Sequence, residues 1–295
     1  MKKIEELIAL IGRYKELGID SQIDYEKFYL YSIITHSTAI EGSTVTELEN
    51  QMLFDEGISA KGKTIVEQMM NLDLKRAYEE SIRLAKEKTP ITVDVLKALS
   101  KLVMQNTGST YKVPAKLQEF CDWLNAQREK KMSMAERYNL SFEAHYRLVT
   151  IHPWADGNGR IARLIMNHIQ FEFSLVPAKV LKEDKGDYIN ALIATRESDD
   201  ITSFQDFMAE EMIKTITTDI NTYLKSTGES GEKKQKSREK ILLLLQAHPE
   251  YSAKRLSEEI GVTEKAIEKQ LAKLKADGRI KRNGPDKGGR WEVIM

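Results

Sequence analysis

A twelve-residue stretch from His152 to Arg163 combines a base, a carboxylate, a glycine-rich turn and two guanidinium groups. Its sequence is HPWADGNGRIAR. The histidine can act as a general base, because an ordinary imidazole titrates near neutral pH. Arg160 and Arg163 lie three residues apart, so on a helix both project from one face and could each bind a different phosphate. Asp156 suits a magnesium ion that bridges phosphate oxygens. These residues predict a site that handles phosphate groups.

Two predicted helices position this stretch. Apolar residues recur at helical spacing from Tyr138 to Ile151, and Pro153 prevents that helix from continuing. A second helical pattern runs from Ile161 to Phe171. Glycines between the two helices allow a tight turn, so the stretch opens a helix N-terminus. The free amides and the positive dipole end of such a terminus favour anions.

The stretch resembles the signature of the Fic (filamentation induced by cAMP) family, H-P-F-x-D/E-G-N-G-R-x-x-R. It departs from that pattern only at Trp154, where phenylalanine is usual. The resemblance implies a mainly α fold, a Fic-type helical bundle, and the transfer of a nucleoside monophosphate, usually AMP from ATP, to a protein hydroxyl. Such transfer is electrostatic catalysis of an in-line displacement at the α-phosphorus.

The family's functional residues map onto this sequence one by one. His152 would take the proton of the acceptor hydroxyl, and Asp156 would hold Mg²⁺ against the α- and β-phosphates. Tyr188 and Asn190 match positions that line the base and ribose in related enzymes, although Tyr188 could equally be a core residue. The resemblance implies a nucleotide-binding set in the loop and helix, with Arg160 at the β-phosphate and Arg163 at the γ-phosphate: Gly157, Asn158, Gly159, Arg160, Ile161, Ala162 and Arg163.

A second segment, STAIEG at positions 37–42, resembles the family's inhibitory motif, [S/T]-x-x-x-E-[G/N]. Its matching residues are Ser37, Glu41 and Gly42. The motif precedes the Fic signature, which implies the subclass with an N-terminal inhibitory helix. Glu41 would pair with Arg163 and occupy the guanidinium that the γ-phosphate needs. A solvated carboxylate at a helix end is the simpler alternative for Glu41.

Two other functions remain open from the sequence. One keeps the Fic site but uses a donor other than ATP, such as UTP, GTP or a diphosphate-linked alcohol. The other is a DNA-binding regulator in which the site only senses a nucleotide, although a sensor has no need of the base His152. The acceptor could be another protein or the chain itself, and a homo-oligomer stays open.

The chain divides into four predicted regions. Residues 1–90 form an N-terminal helical region with the inhibitory helix, residues 91–226 the Fic core, residues 227–237 a polar linker and residues 238–295 a small winged-helix (α+β) domain. The core helices are predicted over Ile4–Leu17, Tyr25–Ile40, Thr46–Glu56, Ile65–Lys86, Val93–Gln105, Ala115–Gln127 and Met208–Leu224. The C-terminal helices are predicted over Arg238–Ala247, Ser252–Ile260 and Glu264–Ala276, followed by a β-hairpin wing.

DNA contact by the winged helix is an open alternative to protein docking. Residues 229–295 hold 16 Lys and Arg against 11 Asp and Glu, a mild positive excess. Glu264 and Glu268 lie among the lysines of the third helix and would repel phosphate. The cations that could contact a nucleic acid are Lys265, Lys269, Lys273 and Lys275 on that helix and Arg279, Lys281, Arg282, Lys287 and Arg290 on the wing.

Three further expectations come from composition and spacing. The single cysteine, Cys121, excludes an internal disulfide framework. The sequence shows no signal-like leader and no long apolar run, so we expect a cytoplasmic protein that does not enter membranes. Residues 105–114 are too short for the β-hairpin flap that usually holds the target segment in Fic proteins, so either the flap is truncated or a mobile segment is absent from the sequence.

Overall fold

The computed structural model describes residues 2–106, 115–226, 240–260, 264–284 and 289–294. Two compact units divide the chain, Met1–Asp219 and Ile220–Met295. Residues 107–114 of the predicted flap region (105–114) and the predicted linker lie outside the described residues. The four predicted regions therefore stay a prediction. No helix within the described ranges is long and apolar enough to cross a bilayer.

The first unit is a helical bundle. Its helices are α1 (Lys2–Glu16), α2 (Phe28–Ile40), α3 (Glu47–Asp55), α4 (Ile65–Lys86), α5 (Val93–Val103), α6 (Ala115–Arg128), α7 (Met134–Ile151), α8 (Asn158–Glu172), α9 (Lys185–Ser198) and α10 (Thr202–Ser226), with a short 3₁₀ helix at Lys182–Asp184. The division between the units falls within α10. The prediction of a mainly α fold is confirmed.

Helix α8 lies in the centre of the bundle and packs most extensively against α7 and α4. Five of its apolar side chains have no exposed surface: Ile161, Ala162, Leu164, Ile165 and Ile169. Asn167, a buried polar residue of this helix, is hydrogen-bonded on both sides: Tyr78 donates a hydrogen bond of 2.7 Å to Asn167 Oδ1, and Asn167 Nδ2 donates one of 2.8 Å to the Ala178 carbonyl. A helix buried on all sides gives its N-terminal loop a rigid base.

Local signals place several helix starts. Capping boxes begin α3, α4 and α7, at Thr46, Thr64 and Ser133. Helix α2 begins at Phe28, three residues after the predicted start, and α10 begins at Thr202, six residues before it. Helix α9 is absent from the predicted set, because only two of its residues are buried and it therefore carries little apolar periodicity.

The second unit contains three short helices and a hairpin. Its elements are α11 (residues 240–247), α12 (Ala253–Ile260), α13 (Glu264–Ala276), β1 (Ile280–Asn283) and β2 (Arg290–Val293). The strands pair antiparallel, with Ile280 opposite Val293 and Asn283 opposite Arg290. Apolar side chains from all three helices and β1 form a separate core, which includes Ile241, Leu245, Leu256, Ile267, Leu271, Leu274 and Ile280. The predicted order of helices and wing is confirmed.

Candidate active site

The site begins where α7 ends and α8 starts. His152 closes α7 in a left-handed conformation, φ 51°, and its side chain is exposed. Gly157 precedes α8 with φ 82°. A Cβ atom at Gly157 would lie 2.7 Å from Met104 Sδ, so both its backbone angle and its surroundings require glycine.

The side chain of Asn158 closes this loop. The Trp154 amide donates a hydrogen bond of 3.0 Å to Asn158 Oδ1, and Asn158 Nδ2 donates one of 2.7 Å to the Trp154 carbonyl. Trp154 itself is buried in the core. Because the Asn158 side chain is occupied, only its backbone amide, with the other first-turn amides of α8, remains to bind an anion.

Arg160 is a buried cation with unused donors. It is 2% exposed, and its Nη2 donates to Met104 Sδ at 3.1 Å and to Asp156 Oδ2 at 3.4 Å. Its Nε and Nη1 atoms are buried without a hydrogen-bond partner within the described part of the chain. Burial lowers the pKa of this guanidinium from 12.5, and Glu41 and Asp156 oppose that shift. A charged group in this position needs an anionic partner.

Arg163 already has such a partner. Its Nη2 donates to Glu41 Oε1 at 2.7 Å and to the Ser37 carbonyl at 3.0 Å, while its Nε donates to Ser37 Oγ at 2.9 Å. Arg163 is 3% exposed and the Glu41 side chain 30% exposed. The predicted inhibitory segment therefore contacts the predicted γ-phosphate residue, although 122 positions separate Glu41 from Arg163 in the sequence.

The Glu41 carboxylate also reaches the first turn of α8. A Cβ atom at Gly159 would lie 2.8 Å from Glu41 Oε1 and 3.1 Å from Arg163 Nη1. Glycine at this position therefore leaves room for an oxygen anion directly above the backbone. Gly42, the last residue of the inhibitory segment, has φ 105° and is exposed, so it allows the chain to turn after Glu41.

Four predicted nucleotide-binding residues differ in their exposure. Ile161 and Ala162 have fully buried side chains in the core, which leaves only their backbone for a ligand. Tyr188 is buried, its hydroxyl lies 3.1 Å from His145 Nε2, and its ring lies 5.9 Å from the Arg163 guanidinium carbon. Asn190 is exposed. Their roles at a nucleotide stay predictions.

Asp156 supplies the carboxylate expected for a metal. Its side chain is 65% exposed, and its Oδ1 accepts a hydrogen bond of 2.6 Å from the Gly157 amide. Across the described ranges, no three His, Cys, Asp or Glu residues cluster closely enough to form a metal site by themselves. Asp156 would therefore need oxygen ligands from a substrate or from water.

A cleft of about 490 Å³ lies beside the end of α7. Thr150 and Ile151, immediately before His152, line it together with Phe120, Tyr146 and Thr195. Thr195 is 1% exposed, and its Oγ1 has no hydrogen-bond partner among the described residues. An unpaired buried hydroxyl in a cleft indicates a place for a polar ligand atom.

Sequence reasoning missed three residues of this region, Met104, Thr195 and Lys185. Met104 is an ordinary apolar residue directly after α5, and Thr195 is an ordinary hydroxyl residue within α9. Lys185 donates a hydrogen bond of 2.6 Å to the Ile40 carbonyl at the end of α2. Its only sequence signal is an unfavourable one, a cation in the first turn of a helix, where the dipole disfavours positive charge.

Sequence comparisons place two known domains on the chain. The Fic/DOC family profile matches residues 97–170, and an HTH domain profile matches residues 237–282. The chain is 31% identical over 216 residues to protein adenylyltransferase Fic of Nematostella vectensis, which covers 66% of this chain and 48% of that protein. It is 29% identical over 189 residues to protein adenylyltransferase fic-1 of Caenorhabditis briggsae, covering 57% of this chain and 36% of that protein.

The chain thus spans about half the length, or less, of these curated relatives. In fold, it resembles the crystal structure of a Fic domain containing signaling protein from Bacteroides thetaiotaomicron, with a TM-score of 0.64 and 23% identity. That likeness covers 77% of this chain and 99% of the other. The segment that holds His152, Asp156 and both arginines is therefore part of a Fic/DOC domain, and an HTH domain follows it along the chain.

Proposed function

We propose that the chain is a protein adenylyltransferase, which transfers AMP from ATP to a Ser, Thr or Tyr hydroxyl of a protein, and that Glu41 restrains this activity. The observation that carries the proposal is the Glu41 carboxylate, 2.7 Å from Arg163 at the N-terminus of α8. An oxygen anion already occupies the place where a γ-phosphate would bind. The names of the two relatives support the same reaction.

In the proposed reaction, the acceptor hydroxyl attacks the α-phosphorus of ATP. A bond forms between the hydroxyl oxygen and that phosphorus, the bond to the bridging oxygen of the β-phosphate breaks, and pyrophosphate leaves. The hydroxyl proton passes to the imidazole of His152, which the exposed end of α7 holds toward solvent. Arg160 and the first-turn amides of α8 stabilise the negative charge on the phosphates.

The residues at Asp156 fit a magnesium ion. Magnesium is usually bound by one or two carboxylates together with phosphate oxygens and water, and Asp156 offers one partly exposed carboxylate beside the predicted phosphate site. When bound, the ion would neutralise phosphate charge. The protein's own contribution is to hold this carboxylate in the turn, through the Gly157 amide.

The nucleoside has two candidate contacts. Tyr188 and Asn190 are the residues that the family resemblance implies, but the hydroxyl of Tyr188 contacts His145. The cleft at Thr195 offers an unpaired hydroxyl between aromatic walls, and Thr195 lies two helical turns from Tyr188 on α9. We therefore propose that this cleft accepts the base.

Label transfer from ATP tests the function. Wild type, Glu41→Gly and Glu41→Gly/His152→Ala are incubated with Mg²⁺ and either α-labelled or γ-labelled ATP. We expect α-label on protein with Glu41→Gly, much less with wild type and none with the double variant. Label from the γ-position should not appear on protein. Absence of α-label in every variant would contradict adenylyl transfer.

The same assay separates the alternative functions. Transfer from labelled UTP or GTP, but not from ATP, would favour a different donor. Binding of ATP without any transfer would favour a nucleotide sensor. The Glu41–Arg163 pair argues for a triphosphate, because a carboxylate at the γ-phosphate position restrains only a ligand that has a γ-phosphate.

A second proposed function is DNA contact by residues 240–294. The HTH domain match supports it, together with the exposed lysines Lys265, Lys269 and Lys273 on α13. On the wing, the guanidinium carbon of Arg282 lies 4.8 Å from the centre of the Trp291 ring. We expect binding to duplex DNA that weakens steeply with salt, and that weakens in Lys265→Gln/Lys269→Gln but not in Lys86→Gln. Salt-independent or absent binding would favour protein docking.

A further inference from the structure

Two hydrogen bonds join the start of α9, and the residues just before it, to the last turn of α2, the predicted inhibitory helix. Lys185 Nζ donates a hydrogen bond of 2.6 Å to the Ile40 carbonyl, and the Lys182 amide donates one of 3.1 Å to His36 Nδ1. His36 and Ile40 are four residues apart, so both contacts fall on one face of α2. The two contacts fix the end of the helix from which Glu41 extends.

The positive charge of Lys185 is favourable at the end of α2 and unfavourable in its own helix. The last carbonyls of a helix lack intrahelical donors and form the negative end of its dipole, so an ammonium group stabilises them. In its own helix, Lys185 occupies the first turn, where a cation is disfavoured. The bond to Ile40 therefore places the cation against the carbonyl that directly precedes Glu41.

The other side of this segment is fixed to α10. The Leu181 amide donates a hydrogen bond of 3.0 Å to Glu211 Oε2, and Lys214 Nζ donates one of 3.1 Å to Asp184 Oδ2. The Glu211 side chain is 1% exposed. Residues 181–185 are thus hydrogen-bonded both to α10 and to the end of α2.

We propose that Lys185 is a positioning residue for inhibition, which keeps the end of α2 where Glu41 reaches Arg163. This inference rests on the proposed function. Loss of the ammonium leaves the Ile40 carbonyl without this donor and gives the turn at Glu41 more freedom. The carboxylate then spends more time away from Arg163, and a γ-phosphate competes more successfully for the guanidinium.

Lys185→Met keeps the aliphatic stem and removes the charge. We expect it to raise α-label transfer by about fivefold over wild type, the size expected for one charge-assisted hydrogen bond at a partly exposed position. Lys185→Arg should restore most of the restraint. Lys182→Met is the matched control, because among the described residues the Lys182 side chain pairs only with its neighbour Glu183, while its backbone amide keeps the contact to His36.

A double-variant cycle shows whether Lys185 acts through Glu41. In the Glu41→Gly background, Lys185→Met should leave the transfer rate unchanged, since the group it positions is gone. An equal increase in both backgrounds, or no increase in the wild-type background while Glu41→Gly is active, would overturn the inference.

Measurements of nucleotide affinity test the role of Lys185 even if the transferase proposal fails. If Glu41→Gly transfers no label, that proposal fails, and the role of Lys185 is then read from calorimetric affinities for MgATP and MgADP. We expect Lys185→Met to tighten ATP binding relative to ADP binding by a similar factor, because only ATP has the γ-phosphate that competes with Glu41. An unchanged ratio would refute the role of Lys185.

Discussion

At the scale of single residues, the proposed inhibition and the stability of the fold depend on the same contact, between Glu41 and Arg163. A buried guanidinium is costly unless it is paired, and Arg163 is paired by Glu41 and Ser37. The carboxylate that we propose to block the γ-phosphate position is therefore also the group that stabilises this arginine. Activation must exchange one anion for another, because leaving Arg163 without a partner would be unfavourable.

Ser37 provides a direct test of this pairing. In Ser37→Ala, the Nε of Arg163 loses the acceptor at 2.9 Å and stays buried. We expect the free energy of unfolding, measured in urea, to fall by about 1–3 kcal/mol. Ser198→Ala is the control, because that hydroxyl is exposed and makes only local hydrogen bonds among the described residues, to the Ala194 carbonyl and from the Asp200 amide. Equal effects of the two substitutions would contradict the argument.

Arg160 should show the opposite balance between stability and function. Two of its buried nitrogens have no hydrogen-bond partner within the described ranges, so the native state carries an uncompensated cost. Arg160→Met keeps a long side chain and removes that cost. We expect a gain of about 1 kcal/mol in unfolding free energy and a large loss of ATP affinity. A destabilised Arg160→Met variant would mean that this guanidinium is satisfied in the protein alone.

At the scale of elements, the Glu67 carboxylate connects the start of α4 with Thr44, in the turn that follows Glu41. Glu67 Oε2 accepts hydrogen bonds from the Thr64 amide and hydroxyl, and its Oε1 accepts from the Thr44 amide at 2.8 Å and the Thr44 hydroxyl at 2.7 Å. These bonds lower the pKa of Glu67 to about 2. The capping box of α4 therefore also fixes the chain just after Glu41.

The N-cap of α4 makes a predictable contribution to the free energy of unfolding. Thr64→Ala removes the side-chain oxygen that accepts from the Glu67 amide at 3.2 Å. We expect the unfolding free energy to fall by about 1 kcal/mol, as for other N-cap threonines. Thermal or urea unfolding measures it, and Thr64→Ser should recover most of the loss. A neutral Thr64→Ala would show that α4 depends on packing alone.

At the scale of the whole molecule, buried histidines make stability depend on pH. Burial lowers the pKa of His145 and His168 to about 3, with smaller contributions from the nearby Arg163 and Arg128 respectively. An unfolded chain binds protons at histidine near pH 6.5, while the folded protein keeps both rings neutral. The unfolded state thus binds more protons between about pH 6.5 and 3, and the native state loses stability as the pH falls through that range.

A substitution at one histidine shows how much of the pH dependence of the unfolding free energy comes from that ring. His168→Asn keeps a polar group near Ser81, whose hydroxyl lies 3.0 Å from His168 Nδ1, but cannot titrate. Between pH 6.5 and 5, we expect the unfolding free energy to fall by about 1.6 kcal/mol less in this variant than in wild type. Urea unfolding at several pH values measures it. Parallel curves for variant and wild type would mean that the ring is protonated or exposed in the native state.

The sequence by itself determined the chemistry of the site and most of the helices. The order of His152, Asp156, the glycines and the arginines is local, and local spacing is enough to predict a helix N-terminus that binds anions. The helical pattern over Ile65–Lys86 predicted α4 at its observed limits. The pairing of Glu41 with Arg163 was predicted only through family resemblance, because nothing in the intervening residues indicates that α2 and α8 touch.

Only the tertiary structure decided what depends on packing between distant helices. The weak apolar pattern of α9 concealed a helix that carries both Lys185 and Thr195. Their roles depend on neighbours far away in sequence, the end of α2 for Lys185 and the cleft beside α7 for Thr195. The burial of Arg160 beside Met104 is likewise a product of the bundle. Local sequence fixes residue types and helix limits, whereas burial and pairing arise when the helices pack together.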